Sequence, residues 1–82
     1  MTLKPGKLYC LSSVFCSDYP TLEAFLVWRN IGEVKPVFKG DVLLHTQAKK
    51  TRSIGTIFYF LDKDGDKVWL EGDEIKYFEE VK

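Results

Sequence analysis

Ile54-Gly55-Thr56-Ile57-Phe58-Tyr59-Phe60-Leu61, followed by Asp62-Lys63-Asp64-Gly65-Asp66-Lys67-Val68-Trp69-Leu70, decides the fold class of this 82-residue chain. Both apolar runs are rich in aromatic and β-branched residues, and an acidic, glycine-containing break separates them. Asp64-Gly65 suits the two positive-φ positions of a type I′ hairpin turn. A two-residue turn there sets Lys63 opposite Asp66, Asp62 opposite Lys67, Leu61 opposite Val68 and Phe60 opposite Trp69. Opposite charges then meet and apolar residues meet, so turn chemistry and cross-strand chemistry agree on a hairpin. In this register Ile57, Tyr59, Leu61, Val68 and Leu70 share one face, and Phe58, Phe60 and Trp69 share the other. Both faces are apolar. The hairpin is therefore either central in the fold or carries an interface on one side.

Outward from this hairpin the chain reads as further short strands. Lys7 to Ser12 alternates after the Pro5-Gly6 break and reads as a first strand. Ser13 to Thr21, with Asp18 and Pro20, reads as an excursion or long loop. Leu22 to Arg29 fits two descriptions. Leu22, Phe25 and Leu26 would share a helix face behind a Thr21 N-cap, whereas Phe25-Leu26-Val27-Trp28 between Pro20 and Asn30-Ile31-Gly32 suits a strand. The strand is favoured. Val34 to Phe38 leads into a turn at Lys39-Gly40-Asp41, then a strand from Val42 to Thr46, then a polar, basic loop from Gln47 to Ser53. Glu71 to Lys82 is expected to hold one helical turn at Asp73–Lys76 and a short closing strand that uses Ile75, Tyr77, Phe78 and Val81.

Length and composition bound what such a chain can do. Residues 1–82 give room for one domain and one core. A composition 45% hydrophobic and 29% charged is that of a globular chain, and 15% aromatic residues let a few large side chains build the core. Twelve basic residues balance twelve acidic ones, which argues against generic polyanion binding. The acidic residues Glu71, Asp73, Glu74, Glu79 and Glu80 gather at the end, and the densest basic cluster is Lys49, Lys50 and Arg52. No secretory signal is read in Met1 to Lys7, and no stretch approaches the roughly 20 apolar residues of a spanning helix. The reading is of a cytoplasmic protein, with Cys10 and Cys16 kept as reduced structural thiols.

Five or six short strands in a small chain indicate an all-β fold, a small barrel or compact sandwich. Phe38-Lys39-Gly40-Asp41-Val42-Leu43-Leu44, followed after the basic loop by Ile54-Gly55-Thr56-Ile57, resembles SH3-like modules of the KOW and Tudor kind. There, Gly-Asp opens a strand after a tight turn and a later glycine allows a strand to bend. An SH3-like barrel is the architecture this implies. An OB-fold fits less well, because no clear helix separates a third strand from a fourth. The whole chain is also similar to small early proteins of tailed bacteriophages, through its Lys-Pro-Gly-Lys-Leu-Tyr opening and Lys-Gly-Asp-Val-Leu centre. That family brings no established activity. Its members commonly bind a host protein or nucleic acid, so the resemblance implies a binder in a host cytoplasm.

Catalytic chemistry finds little support in the residues. Asp62, Asp64 and Asp66 alternate as a calcium loop begins, but a twelve-residue loop from Asp62 puts Lys67 where glycine is needed and Asp73 where glutamate is needed. His45 is the single histidine, and Cys10 and Cys16 lack the spacing of a zinc knuckle. A Cys–His pair would still need an orienting group and a cleft, which so small a barrel hardly offers. No phosphate loop or nucleophile elbow occurs. The expectation is a non-enzymatic binding module without metal or cofactor. Phe58, Phe60 and Trp69 form its candidate contact patch for a partner protein, and a homodimer could use the same aromatics. The alternative is nucleic-acid binding through Lys49, Lys50 and Arg52 with nearby aromatics to stack on bases.

Overall fold

β5 (Gly55–Leu61) and β6 (Lys67–Glu71) form the expected hairpin, but one residue out of the expected register. Phe60 lies opposite Val68, Tyr59 opposite Trp69 and Phe58 opposite Leu70. The turn explains the shift. Among the described residues, positive φ is confined to glycines, so Asp64 does not take the first central position of a type I′ turn. Instead the Gly65 N–H donates to the Asp62 carbonyl at 3.0 Å, and the Asp62 N–H donates to the Asp66 carbonyl at 3.1 Å. Gly65 sits at φ +81°. This is a type I turn closed by a left-handed glycine, a three-residue loop in place of a two-residue one. The Asp62 side chain adds to it, its Oδ1 accepting the N–H groups of Asp64 at 2.9 Å and Asp66 at 3.0 Å. A one-residue slip exchanges the faces of one strand relative to the other. Phe58, Phe60, Val68 and Leu70 therefore face inward together, and Tyr59 and Trp69 face outward.

The computed structural model describes residues 3–81, so Met1, Thr2 and Lys82 of the expected 1–82 domain lie outside the described residues. The fold is mainly β, a curled antiparallel sheet forming a half-barrel. Its other strands are β1 (Leu8–Leu11), β2 (Ala24–Arg29), β3 (Val34–Phe38), β4 (Val42–Thr51) and β7 (Phe78–Glu80). They lie in the order β3-β2-β6-β5-β4-β1-β7. Seven strands replace the expected five to six. The β2–β3 hairpin repeats the turn of its neighbour: the Gly32 N–H donates to the Arg29 carbonyl, the Arg29 N–H donates to the Glu33 carbonyl, and Gly32 has φ +85°. Leu22–Arg29 resolves as strand from Ala24 onward.

Two segments read as loops are ordered elements. Ser13–Asp18 is a short helix, α1, whose buried Phe15 packs edge-on to Phe25 and Tyr77. The expected basic loop Gln47–Ser53 is largely strand, because β4 runs on to Thr51. Its residues there are polar because both faces are exposed. A bulge at Thr46 shifts the β4–β5 register, and the Thr46 hydroxyl donates to the Tyr59 carbonyl at 3.2 Å. After β6, a 3₁₀ helix (Gly72–Tyr77) is capped reciprocally by Glu71 and Glu74, and β7 returns to β1.

Phe60, Val68, Leu70, Leu43, Val27, Tyr9 and Phe78 fill the concave side. Phe60 is fully buried, edge-on to Tyr9 and 5.0 Å from the His45 ring. His45 is buried with it, and its Nδ1 lies 3.0 Å from the Tyr59 carbonyl. A carbonyl can only accept, so Nδ1 carries the proton of the neutral ring. Burial lowers the imidazole pKa below its ordinary 6.5, the bond to Tyr59 opposing this in part.

Two outcomes follow from these arrangements. Gly65→Ala should cost about 1–2 kcal/mol in denaturant unfolding, because a Cβ meets no neighbour there and the whole cost lies in the left-handed backbone. The unfolded chain protonates His45 before the folded chain does, so stability should be full above about pH 6.5 and fall as pH drops towards the lowered native value. Urea midpoints from pH 7.5 to 5 for the natural chain and His45→Gln should differ in slope over this window, the variant being flatter.

Candidate functional site

The outward side of the sheet carries the exposed Trp28 and Phe38 and the half-buried Tyr59 and Trp69. Directly paired residues of antiparallel strands share a face, so the pairs Trp28–Val34, Trp28–Trp69, Tyr59–Trp69 and Gln47–Tyr59 make one row across β3, β2, β6, β5 and β4. Trp28 and Trp69 stack with centroids 5.9 Å apart and planes 16° from parallel. Beside this row on the same face lie Leu26 opposite Pro36 and Ala24 opposite Phe38. Leu26 is 60% exposed, Trp28 41%, Val34 49% and Phe38 47%. Scattered apolar residues are ordinary on a surface, but a contiguous group centred on two tryptophans is not.

Of the expected patch Phe58, Phe60 and Trp69, the structure keeps one member here. Phe60 is fully buried and Phe58 is half-buried on the inner face, its ring 6.0 Å from His45. The register slip separates them from Trp69, which acquires Trp28 and Tyr59 instead. Both were missed. The alternation Leu26-Val27-Trp28 carried the signal for Trp28, since Val27 inward forces Trp28 outward. The expected basic cluster is also divided. Lys49 pairs with Ile57 and Lys50 with Thr56, so consecutive strand positions send the two ammonium groups to opposite faces. Arg52 lies in the turn beyond β4.

The end of the half-barrel beside the two hairpin turns holds an ion cluster. The Lys35 ammonium contacts Asp62, Asp64 at 3.0 Å and Asp66 at 3.0 Å, while Arg29 bridges Asp66 at 3.2 Å and Glu33 at 3.6 Å. The three aspartates are close enough to share one cation, and Lys35 supplies it. The contact with Asp62, then that with Asp66, raises the Lys35 pKa well above its ordinary value. Burial alone would raise the Asp62 carboxyl, but Lys35 and the N–H groups of Asp66 and Asp64 outweigh it and hold the pKa low. Elsewhere, Cys10 and Cys16 are free, half-buried thiols. Burial and then Glu79 push Cys10 upward, away from nucleophilic thiolate chemistry. Among the described residues no helix is long and apolar enough to cross a membrane. The chain matches no known family, no curated protein and no solved structure.

Lys35→Met should strand a carboxylate that is only 7% exposed. The expected loss is about 2–3 kcal/mol, below the value for a fully buried pair because Lys35 keeps some contact with water. The acid response should also change sign. In the natural chain Asp62 contributes stability that is lost as pH falls through its lowered pKa. In Lys35→Met the unpaired carboxylate is relieved by protonation, so unfolding midpoints should rise as pH drops from 6 to 4, relative to the natural chain.

Proposed function

We propose that this protein is a non-catalytic binding module that holds a partner protein on the outer face of β3, β2 and β6. The observation that carries this reading is the stacked Trp28–Trp69 pair with Leu26, Val34 and Phe38 exposed around it. Tryptophan at the centre of an apolar patch is the residue that most often dominates binding energy. Clustered there, it gives a partner a rigid surface with little side-chain freedom to lose.

The scaffold we propose for this face is an SH3-like barrel. In its support, β4, β5 and β6 form a meander, a 3₁₀ helix follows, and a short last strand returns to the first. On this reading the chain is a small effector of the phage type, acting in a host cytoplasm and needing no cofactor. Nucleic-acid binding through Lys49, Lys50 and Arg52 ranks second. Two of its three cations diverge across the sheet, so they cannot track one phosphate backbone together.

The test is capture from bacterial lysate on immobilised protein, with and without nuclease, comparing the natural chain with Trp28→Glu, Trp69→Glu and the pair Lys49→Glu, Lys50→Glu. A stoichiometric protein should be retained after nuclease, be lost with either tryptophan variant while circular dichroism stays native, and survive the lysine changes. Capture that persists in both folded tryptophan variants sinks the proposal. Capture that vanishes with nuclease or with the lysine changes transfers the function to nucleic acid.

A further inference from the structure

A protein can join this sheet at an edge or on a face, and both edges are poorly suited to strand addition. Arg29 and Glu33 are a hydrogen-bonded pair, so by alternation Val34, Pro36 and Phe38 direct their backbone groups away from β2. Pro36 has no N–H. The Phe38 N–H donates to Asp41 Oδ2 at 3.0 Å, and its carbonyl accepts the Asp41 N–H at 2.9 Å. At the other edge β7 is three residues long and two of them are glutamates. Short, charged and proline-bearing edges resist strand addition, which leaves the outer face for association.

The outer face of β6 reads Lys67, Trp69, Glu71, a cation and an anion two positions on either side of an apolar centre. Lys67 is exposed, and Glu71 is half-buried with its carboxylate also accepting the Glu74 N–H. A two-fold axis lying in an interface and crossing β6 at right angles at Trp69 reverses the strand direction. It lays Lys67 of each copy over Glu71 of the partner subunit, with the tryptophans between them. Opposite charges placed symmetrically about the centre make the patch complementary to itself, as an isologous contact requires. The size also fits. A stable interface takes roughly 800 Å² from each partner, about one-seventh of the 5530 Å² surface and of the order of one side of a body 33 × 27 × 24 Å. We infer that a second copy of this chain covers the outer face, in an isologous dimer centred on Trp28 and Trp69. This rests on the reading of that face as the binding surface, which the second copy covers when no other protein is bound.

Sedimentation velocity over a series from micromolar to millimolar chain tests it. The natural protein should pass from the 9.5 kDa monomer to twice that mass. Trp28→Glu should remain monomeric throughout. Lys67→Glu replaces the cation with a carboxylate facing Glu71 of the partner subunit, and should weaken the dimer by about tenfold or more. Adding Glu71→Gln, which keeps a side-chain acceptor for the 3₁₀ cap, should recover much of that loss, because the repulsion exists only if the two positions face each other. A natural chain that stays monomeric at every concentration overturns the dimer. So does a dimer indifferent to Trp28→Glu, or a Lys67→Glu defect that Glu71→Gln does not relieve. If the dimer fails while Trp28→Glu still abolishes capture of another protein, the binding face stands with a different occupant. If capture also survives Trp28→Glu, both readings fall.

Discussion

The carboxylate of Asp62 ties together two hairpins that are remote in sequence. One oxygen gathers the N–H groups of Asp64 and Asp66 and fixes the β5–β6 turn. The other meets the ammonium of Lys35 and draws the β2–β3 hairpin against that turn. The turn sets the register, and the register selects which aromatics enter the core. Had the loop held two residues, Trp69 would share a face with Phe60 and the β2–β6 seam would lose its stacked pair. A buried ion pair adds little net stability over an apolar substitute. Its contribution here is to specify one arrangement of two hairpins among several that hydrophobicity alone would accept.

The mainly β fold was legible because alternation and β-branched or aromatic content are local properties, and they placed β1, β2, β5, β6 and the 3₁₀ turn close to where they lie. The turn at Asp64-Gly65 was legible as a turn, not as a type. Glycine in the left-handed region closes either loop, and cross-strand pairing leans the wrong way: the observed register sets Leu61 opposite Lys67, Ile57 opposite Glu71 and Asp62 opposite Asp66. What separates them is the fit of Asp62 to Lys35, a contact 27 positions apart that no local pattern encodes. The contact surface inherited that error. Trp69 lies on the outer face, Phe58 and Phe60 belong to the interior, and Tyr59 joins Trp69 only with the register known, whereas the alternation around Val27 already carried Trp28.

The polar residues of Gln47–Thr51 misled for a different reason. A strand whose two faces both meet water has no need of alternation, so composition cannot distinguish it from a loop. Residues Ser13–Asp18 escaped notice because six residues give fewer than two turns, too few for a helical period to show. Phe15 is the exception that anchors α1, and its contacts with Phe25 and Tyr77 lie far away in sequence.

The pairing of β1 with β7 governs how the chain acquires its structure. Leu11 lies opposite Phe78, and the Val81 N–H donates to the Leu8 carbonyl at 2.8 Å. These contacts close the largest loop in the molecule and return nothing until almost every residue between them has been made. A chain emerging from the ribosome can form the β2–β3 and β4–β5 hairpins early and pair β1 with β4, but β1 gains its second neighbour only when the last strand is made. Loop-closure entropy is then met late, folding belongs to the slow, non-local class, and loss of the last few residues strips β1 of one neighbour as surely as deleting that neighbour outright.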